Sequence, residues 1–256
     1  MAEVTSHAPG AFCWIELGTT DQKAAKDFYT KLFGWSFTDN DMGPGMTYTI
    51  FKLKGRDVAS CYTLDPAKMA GVPPHWMLYI ATADADASAR RTAELGGKIV
   101  APAFGVGDFG RMAVLADPQG ANFCVWEAKS NTGIGIHNEP SAFCWGQLNT
   151  SDTAKADAFY RKLFGWAAKT GSGEGMTYTE WLHGGKPIGG MMALPADAQA
   201  PPHWLAYFAV ADCDVTAARA ASLGARTYVP PTKVPGTGTF AVFADPQGAT
   251  FAIYRE

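Results

Sequence analysis

Residues 11–35, AFCWIELGTTDQKAAKDFYTKLFGW, return as residues 142–166, AFCWGQLNTSDTAKADAFYRKLFGW, with fifteen of the twenty-five positions identical. Three shorter landmarks recur in the same order: Gly-Met-Thr-Tyr-Thr at 45–49 and 175–179, Pro-Pro-His-Trp at 73–76 and 201–204, and Ala-Asp-Pro-Gln-Gly-Ala at 116–121 and 244–249. Self-similarity at a nearly fixed offset means that one structural unit is built twice. It predicts a tail over residues 1–10, a first domain over 11–128, a linker over 129–141 and a second domain over 142–256.

Within each copy the hydrophobic period switches between two and 3.6. Phe12–Leu17 is rich in strand formers, and from Asp21 onward Ala24, Ala25, Phe28, Leu32 and Phe33 form an apolar helical stripe. Thr20 or Asp21 can cap its start, and Gly34 suits the left-handed position after its end. Strand-like runs follow near 36–40, 45–54 and 56–64, then a loop at 65–74 and a strand from His75 to Thr82. An Ala-rich helix over Asp84–Leu95 and strands near 98–104, 110–116 and 121–127 complete a βαβββ unit made twice. The second copy repeats the plan, with helices at 152–164 and 212–223. Asp117-Pro118-Gln119-Gly120 has the residues of a type I turn. Gly105, Gly107 and Gly110 match a dinucleotide-binding motif by letter, but a strand-like run follows them, so a hairpin is expected.

A hydrophobic fraction of 47% with 18% charged residues suits a globular protein with a sizeable core. The net charge of −3, without a Lys or Arg cluster, carries no footprint for nucleic acid. No apolar run approaches a membrane span and MAEVTSHAPG lacks a signal peptide's pattern, so a cytoplasmic protein with no membrane partner is expected. Cys13, Cys61, Cys124, Cys144 and Cys213 form no CxxC pair and read as reduced, buried thiols.

Alternation along the first strand places Phe12, Trp14 and Glu16 on one face, matched by Phe143, Trp145 and Gln147 in the second copy. A carboxylate among Phe and Trp either finds partners or gives up its charge, which makes Glu16 the leading candidate for proton transfer. His75 and His203, each between Pro-Pro and Trp, are either locally hydrogen-bonded or acid–base and ligand-binding groups. Trp76 and Trp204 read as core, whereas Tyr48, Tyr79, Tyr178 and Tyr207 are candidates to line a pocket for a flat apolar ligand. No paired Cys/His spacing of a metal site exists.

The βαβββ modules, the helix ends FYTKLFGW and FYRKLFGW and the turns ADPQGANF and ADPQGATF together resemble the vicinal oxygen chelate superfamily, which includes glyoxalase I, bleomycin-resistance proteins and extradiol dioxygenases. The resemblance implies an α+β fold of two tandem glyoxalase-like domains, each two βαβββ modules whose curled mixed sheets form a cup. In its enzymes a divalent metal sits in that cup on His, Gln and Glu side chains. The positions that correspond hold Trp14, Ser60 or Cys61, about Met77, and Cys124 in the first domain, and Trp145, Gly190 or Met191, about Leu205, and Ala252 in the second. A slip of one residue would bring in Trp76 or Trp204 and still supply no hard-metal ligand set. No metal and no other cofactor is therefore expected, and Cys124 joins the ligand-facing candidates.

Two functions follow as expectations. One is a protein resembling the bleomycin-resistance group that binds a small apolar or aromatic molecule in an aromatic-lined cup, as a monomer or homodimer. The other is an enzyme of the superfamily, whether a lyase, an isomerase or a hydroxylase- or dioxygenase-like protein. It would be metal-free with Glu16 as base and His75 or Tyr79 as partner, or metal-dependent at a site the sequence does not reveal.

Overall fold

The computed structural model describes residues 4–67, 69–173, 176–195 and 197–256. Gly175 of the repeated landmark, residues 1–3 of the expected tail, and Lys68 and Ala196 of the two loops lie outside the described residues. The first half folds as β1 (Phe12–Thr19), α1 (Gln22–Phe33), β2 (Ser36–Asp41), β3 (Thr47–Leu53), β4 (Arg56–Thr63), β5 (His75–Ala81), α2 (Ala85–Glu94), β6 (Lys98–Val106), β7 (Gly110–Ala116) and β8 (Asn122–Ala128). The second repeats it as β9 (Phe143–Thr150), α3 (Thr153–Phe164), β10 (Ala167–Gly173), β11 (Met176–His183), β12 (Lys186–Ala193), β13 (His203–Ala209), α4 (Cys213–Ser222), β14 (Arg226–Val234), β15 (Gly238–Ala244) and β16 (Thr250–Arg255). The glycine-rich stretch after Phe104 is the β6–β7 hairpin, with Val106 opposite Gly110.

Each helix begins on an aspartate. Asp21, Asp84, Asp152 and Asp212 are extended N-caps whose side chains accept the amide of the third residue on, satisfying a donor that the first turn leaves free. Gly34 and Gly165 end α1 and α3 at φ of 71° in both cases, a left-handed conformation that favours glycine.

The sheets are open, eight-stranded and equivalent: β2-β3-β4-β1-β5-β8-β7-β6 and β10-β11-β12-β9-β13-β16-β15-β14. Modules pair within a domain, because β1 runs antiparallel to β5 and β9 to β13. In each domain the strand pairs β1–β4 and β5–β8, or β9–β12 and β13–β16, are parallel, so the four central strands present their side chains in common rows.

The helices of both domains share one core. Phe28 and Phe33 of α1 pack on Phe251 and Phe208 of the second domain, while Phe159 and Phe164 of α3 pack on Phe123 of the first. Three of these pairs, all but the tilted Phe33–Phe208, are edge-to-face, a geometry that adds about 0.5–1.5 kcal/mol each beyond the area buried. The Tyr29 hydroxyl of α1 donates to Asp245 (3.0 Å) and receives the Trp76 indole N–H (3.0 Å). Tyr160 of α3 donates to Asp117 (3.1 Å) and receives Trp204 (3.1 Å). Trp35 donates to the Ser141 carbonyl and Trp166 to that of Gly10, the residues that lead into β9 and β1. The repeated FY, GW, HW and ADPQGA landmarks are thus the two halves of a reciprocal interdomain contact.

Residues 129–141 are held from both sides: the Asn138 amide donates to the Phe143 carbonyl and the Ser141 amide to that of Ala209 in the second domain, while the earlier part lies on the first. Ile134 and Ile136 are buried, the Ile134 amide donates to the Cys13 carbonyl and the Gly135 amide to that of Asp57. All five cysteines are free thiols, with Cys144 half-buried and the others buried.

Candidate functional site

The face of each sheet turned away from the helices carries the polar aromatic groups. In the first domain the register sets Ser60, Glu16 and Met77 in one row across β4, β1 and β5. Trp14, Tyr79 and Cys124 form the next row across β1, β5 and β8. Glu16 is half-buried, and its carboxylate collects the neighbouring hydroxyls. Tyr79 donates to Oε1 at 2.7 Å, and Tyr48 to Oε2 at 2.6 Å. Ser60 lies 3.3 Å from Oε2 and 2.8 Å from the Tyr48 hydroxyl, and accepts the Trp14 indole N–H at 3.0 Å.

Burial drives the Tyr48 and Tyr79 phenols well above their ordinary range, and the Glu16 carboxylate adds to the effect. Both therefore stay protonated and act as donors. Tyr62, on the same face, is raised by burial and by Glu16 in the same way. Burial also holds the Cys124 thiol well above its usual value, so it is present as S–H rather than thiolate.

The second domain keeps the aromatic frame with an amide at its centre. Gln147 Oε1 accepts from Tyr178 (3.2 Å) and Tyr207 (3.1 Å), and its Nε2 donates to Asn149 Oδ1 (2.9 Å). Asn149 Nδ2 lies 3.2 Å from His203 Nε2, and His203 Nδ1 lies 2.8 Å from the Pro201 carbonyl. A carbonyl only accepts, so His203 carries its proton on Nδ1 and its Nε2 takes the Asn149 hydrogen. Trp145 donates directly to Tyr178 (2.8 Å), because Gly190 replaces Ser60 and the tyrosine lies where a Cβ there would be, 2.3 Å from its hydroxyl.

The structure thus brings together Glu16, Trp14, Tyr48, Tyr79 and Cys124 in one domain and Gln147, Trp145, Tyr178, Tyr207 and His203 in the other. His75 lies one row beyond Glu16, opposite Gly18, with Nδ1 2.9 Å from the Pro73 carbonyl. Phe12 and Phe143 are elsewhere. The β1–β5 register shifts between Phe12 and Trp14, and this bulge turns Phe12 into the interdomain core against Phe143, Trp166 and Trp204. Simple alternation, which put Phe12 and Glu16 on one face, fails at that irregularity. Trp76 and Trp204 are core residues bonded to Tyr29 and Tyr160. Glu127 faces the helices and accepts the first amide of α2.

Sequence reasoning missed Asn149 and Tyr62 as site residues and treated Ser60 only as an aligned position. Carrying the alternation of β9 two residues past Gln147, and that of β4 past Ser60, would have reached them.

The model of the Glyoxalase/Bleomycin resistance protein/Dioxygenase superfamily matches this chain twice, over residues 12–125 and 142–253. The "Putative glyoxylase CFP32" of Mycobacterium tuberculosis (strain CDC 1551 / Oshkosh) is 38% identical over 257 residues, covering 100% of this chain and 98% of that protein. The "Anthracycline biosynthesis protein DnrV" of Streptomyces peucetius is 37% identical over 262 residues, covering 98% and 94%. Among solved structures, the Mn(II)-bound glyoxalase from Novosphingobium aromaticivorans superposes with a TM-score of 0.68 at 16% identity, covering 97% of this chain and 82% of that one. The 2,3-dioxygenase LapB from Pseudomonas sp. KL28 gives 0.66 at 14%, covering 98% and 94%. These two share the fold. The double match of the family model and the full-length relatives establish that the chain belongs to the Glyoxalase/Bleomycin resistance protein/Dioxygenase superfamily.

Proposed function

We propose that the helix-free faces bind a small apolar or aromatic molecule without a metal ion, each face offering it a different polar contact. The observation that carries this reading is the cluster of Trp14, Tyr48, Ser60 and Tyr79 around Glu16. A carboxylate has about four acceptor positions. Three in Glu16 are taken by Tyr79, Tyr48 and Ser60, which leaves one on Oε1 for a ligand O–H or N–H. Gln147 has both Oε1 positions filled and one Nε2 hydrogen committed, leaving one N–H for a ligand acceptor. The flanking rings supply flat apolar walls.

The donor set supports the absence of a metal role. The family's ligand positions hold an indole, a hydroxyl, a thioether and a protonated thiol in the first domain. Among the described residues no three His, Cys, Asp or Glu side chains are grouped for an ion, whereas a divalent ion needs imidazole or several carboxylates. The relatives named for anthracycline biosynthesis favour an aromatic ligand.

A second reading rests on the short Glu16–Tyr48 and Glu16–Tyr79 contacts. A carboxylate flanked by two phenols that keep their protons is arranged to take a proton from a bound substrate and pass charge to neither partner. The relative named a glyoxylase favours an enzyme of this kind.

One set of titrations separates them. Quenching of Trp fluorescence by hydroxylated and unsubstituted planar aromatics, run on the native chain, Glu16→Gln and Gln147→Glu, should show saturable binding that Glu16→Gln retains in weakened form. Turnover of any such compound that Glu16→Gln abolishes would replace the binding role by the enzymatic one. Stoichiometric retention of iron, manganese, nickel or zinc after reconstitution and desalting would overturn the metal-free reading.

A further inference from the structure

The two copies differ at a place remote from these faces, between the start of α3 and strands β10–β12. In the first domain the equivalent space is filled by two nitrogen donors. Gln22 Nε2 donates to the Thr49 hydroxyl (2.8 Å) and to the carbonyls of Cys61 (3.0 Å) and Thr47 (3.1 Å). One helical turn on, the Lys26 ammonium donates to Asp39 at 2.8 Å.

The second domain drops both donors and the Asp39 carboxylate; it keeps the threonine hydroxyl at Thr179, here paired with Thr170 at 2.9 Å, and the strand carbonyls. Counting from the N-cap aspartates, Thr153 stands for Gln22 and Asp157 for Lys26. By strand register Thr170 stands for Asp39, Thr179 for Thr49 and Met191 for Cys61. What remains is a recess of about 220 Å³ lined by these residues, together with Thr177, Ala154 and Ala193. Its helix side carries a carboxylate where the first domain has an ammonium. Arg161 reaches only Oδ2 of Asp157, at 3.4 Å. Oδ1 is buried and, among the described residues, has no hydrogen-bond partner. A carboxylate oxygen shielded from water without a donor is unfavourable.

We propose that this recess binds a small organic cation, a primary ammonium or guanidinium group, whose N–H donors take the places of Gln22 and Lys26. The Asp157 carboxylate, which borders the recess, supplies the countercharge, and the Thr179 hydroxyl and the Thr177 and Met191 carbonyls supply the remaining acceptors. The site is independent of Glu16 and Gln147, so it stands whatever those faces bind.

The test is an amide correlation spectrum of the full chain titrated with ethylammonium chloride, with sodium and calcium chloride at matched ionic strength as controls. Saturable shifts confined to the amides near Thr153–Asp157, Thr170 and Thr179 are expected. Asp157→Asn should weaken the apparent affinity at least tenfold. A chain carrying Thr153→Gln, Asp157→Lys and Thr170→Asp, which rebuilds both donors and the carboxylate of the first domain, should show no shifts while retaining a dispersed spectrum. Absence of saturable shifts in the native chain, equal affinity in Asp157→Asn, shifts that persist in the rebuilt variant, or equal shifts with sodium or calcium would each overturn the proposal.

Discussion

Tyr29 and Asp245 lie 216 residues apart in sequence and bond at 3.0 Å across the domain boundary, and Tyr160 and Asp117 repeat the contact in the opposite direction. Removing either hydroxyl strips one partner from a buried carboxylate and also leaves an indole N–H, of Trp76 or Trp204, without its acceptor. Tyr29→Phe and Tyr160→Phe should each cost about 1–3 kcal/mol in chemical denaturation. A loss below about 0.5 kcal/mol in both would show that the contact does not hold the domains together.

The same carboxylates give the fold a pH dependence. Burial holds Asp117 and Asp245 above the usual carboxylate range, against the turn amides and tyrosines that favour ionisation. A group raised in the folded state stabilises it fully below the unfolded value, about 3.9, and that contribution is lost as pH rises through the folded value. Stability of the native chain relative to Asp117→Asn/Asp245→Asn should therefore fall as pH is raised from about 4, then level off. Melting curves across that window that stay parallel, or that diverge in the other direction, would contradict the assignment.

At Gly190 a Cβ would meet the Tyr178 hydroxyl at 2.3 Å and its ring at 2.5 Å. Gly190→Ser, although it restores the residue of the first domain, should cost about 1–3 kcal/mol by overpacking. The penalty should largely vanish in a Tyr178→Ala background. An equal cost in both backgrounds would place its origin in the backbone rather than in the tyrosine.

Gly18 and Tyr62 pack as a pair, since a Cβ on the glycine would lie 3.2 Å from the Tyr62 hydroxyl and 2.9 Å from Leu64. The second domain has Asn149 and Met192 in their places. Gly18→Asn alone should destabilise, and adding Tyr62→Met should recover part of the loss, a coupling of about 0.5–3 kcal/mol for residues in contact. Additive costs would rule the pairing out.

The repeat, the element order and the aromatic frame were legible because they depend on local period and on capping residues such as Asp21 and Gly34. Glu16 stood out because charge among aromatics is conspicuous in strand alternation. Phe12 was misplaced because a bulge cancels alternation without leaving a mark in the sequence. The purpose of Tyr29 and of the Asp117 turn was invisible for a different reason. Each looks like a local feature, a helix stripe or a tight turn, and becomes a bonding partner only when the other half of the chain is present. The emptied recess beside Asp157 could be recognised only by setting the two copies atom against atom.

The reciprocal seam also bears on how the two faces could diverge. In an assembly of two identical chains every substitution appears twice, so a change that suits one site is imposed on the other. Joining the halves through residues 129–141 lifts that constraint while the shared aromatic core keeps both halves in place. Glutamate at 16 with glutamine at 147, serine at 60 with glycine at 190, and glycine at 18 with asparagine at 149 use that freedom: one scaffold carries two sheet faces that differ residue by residue.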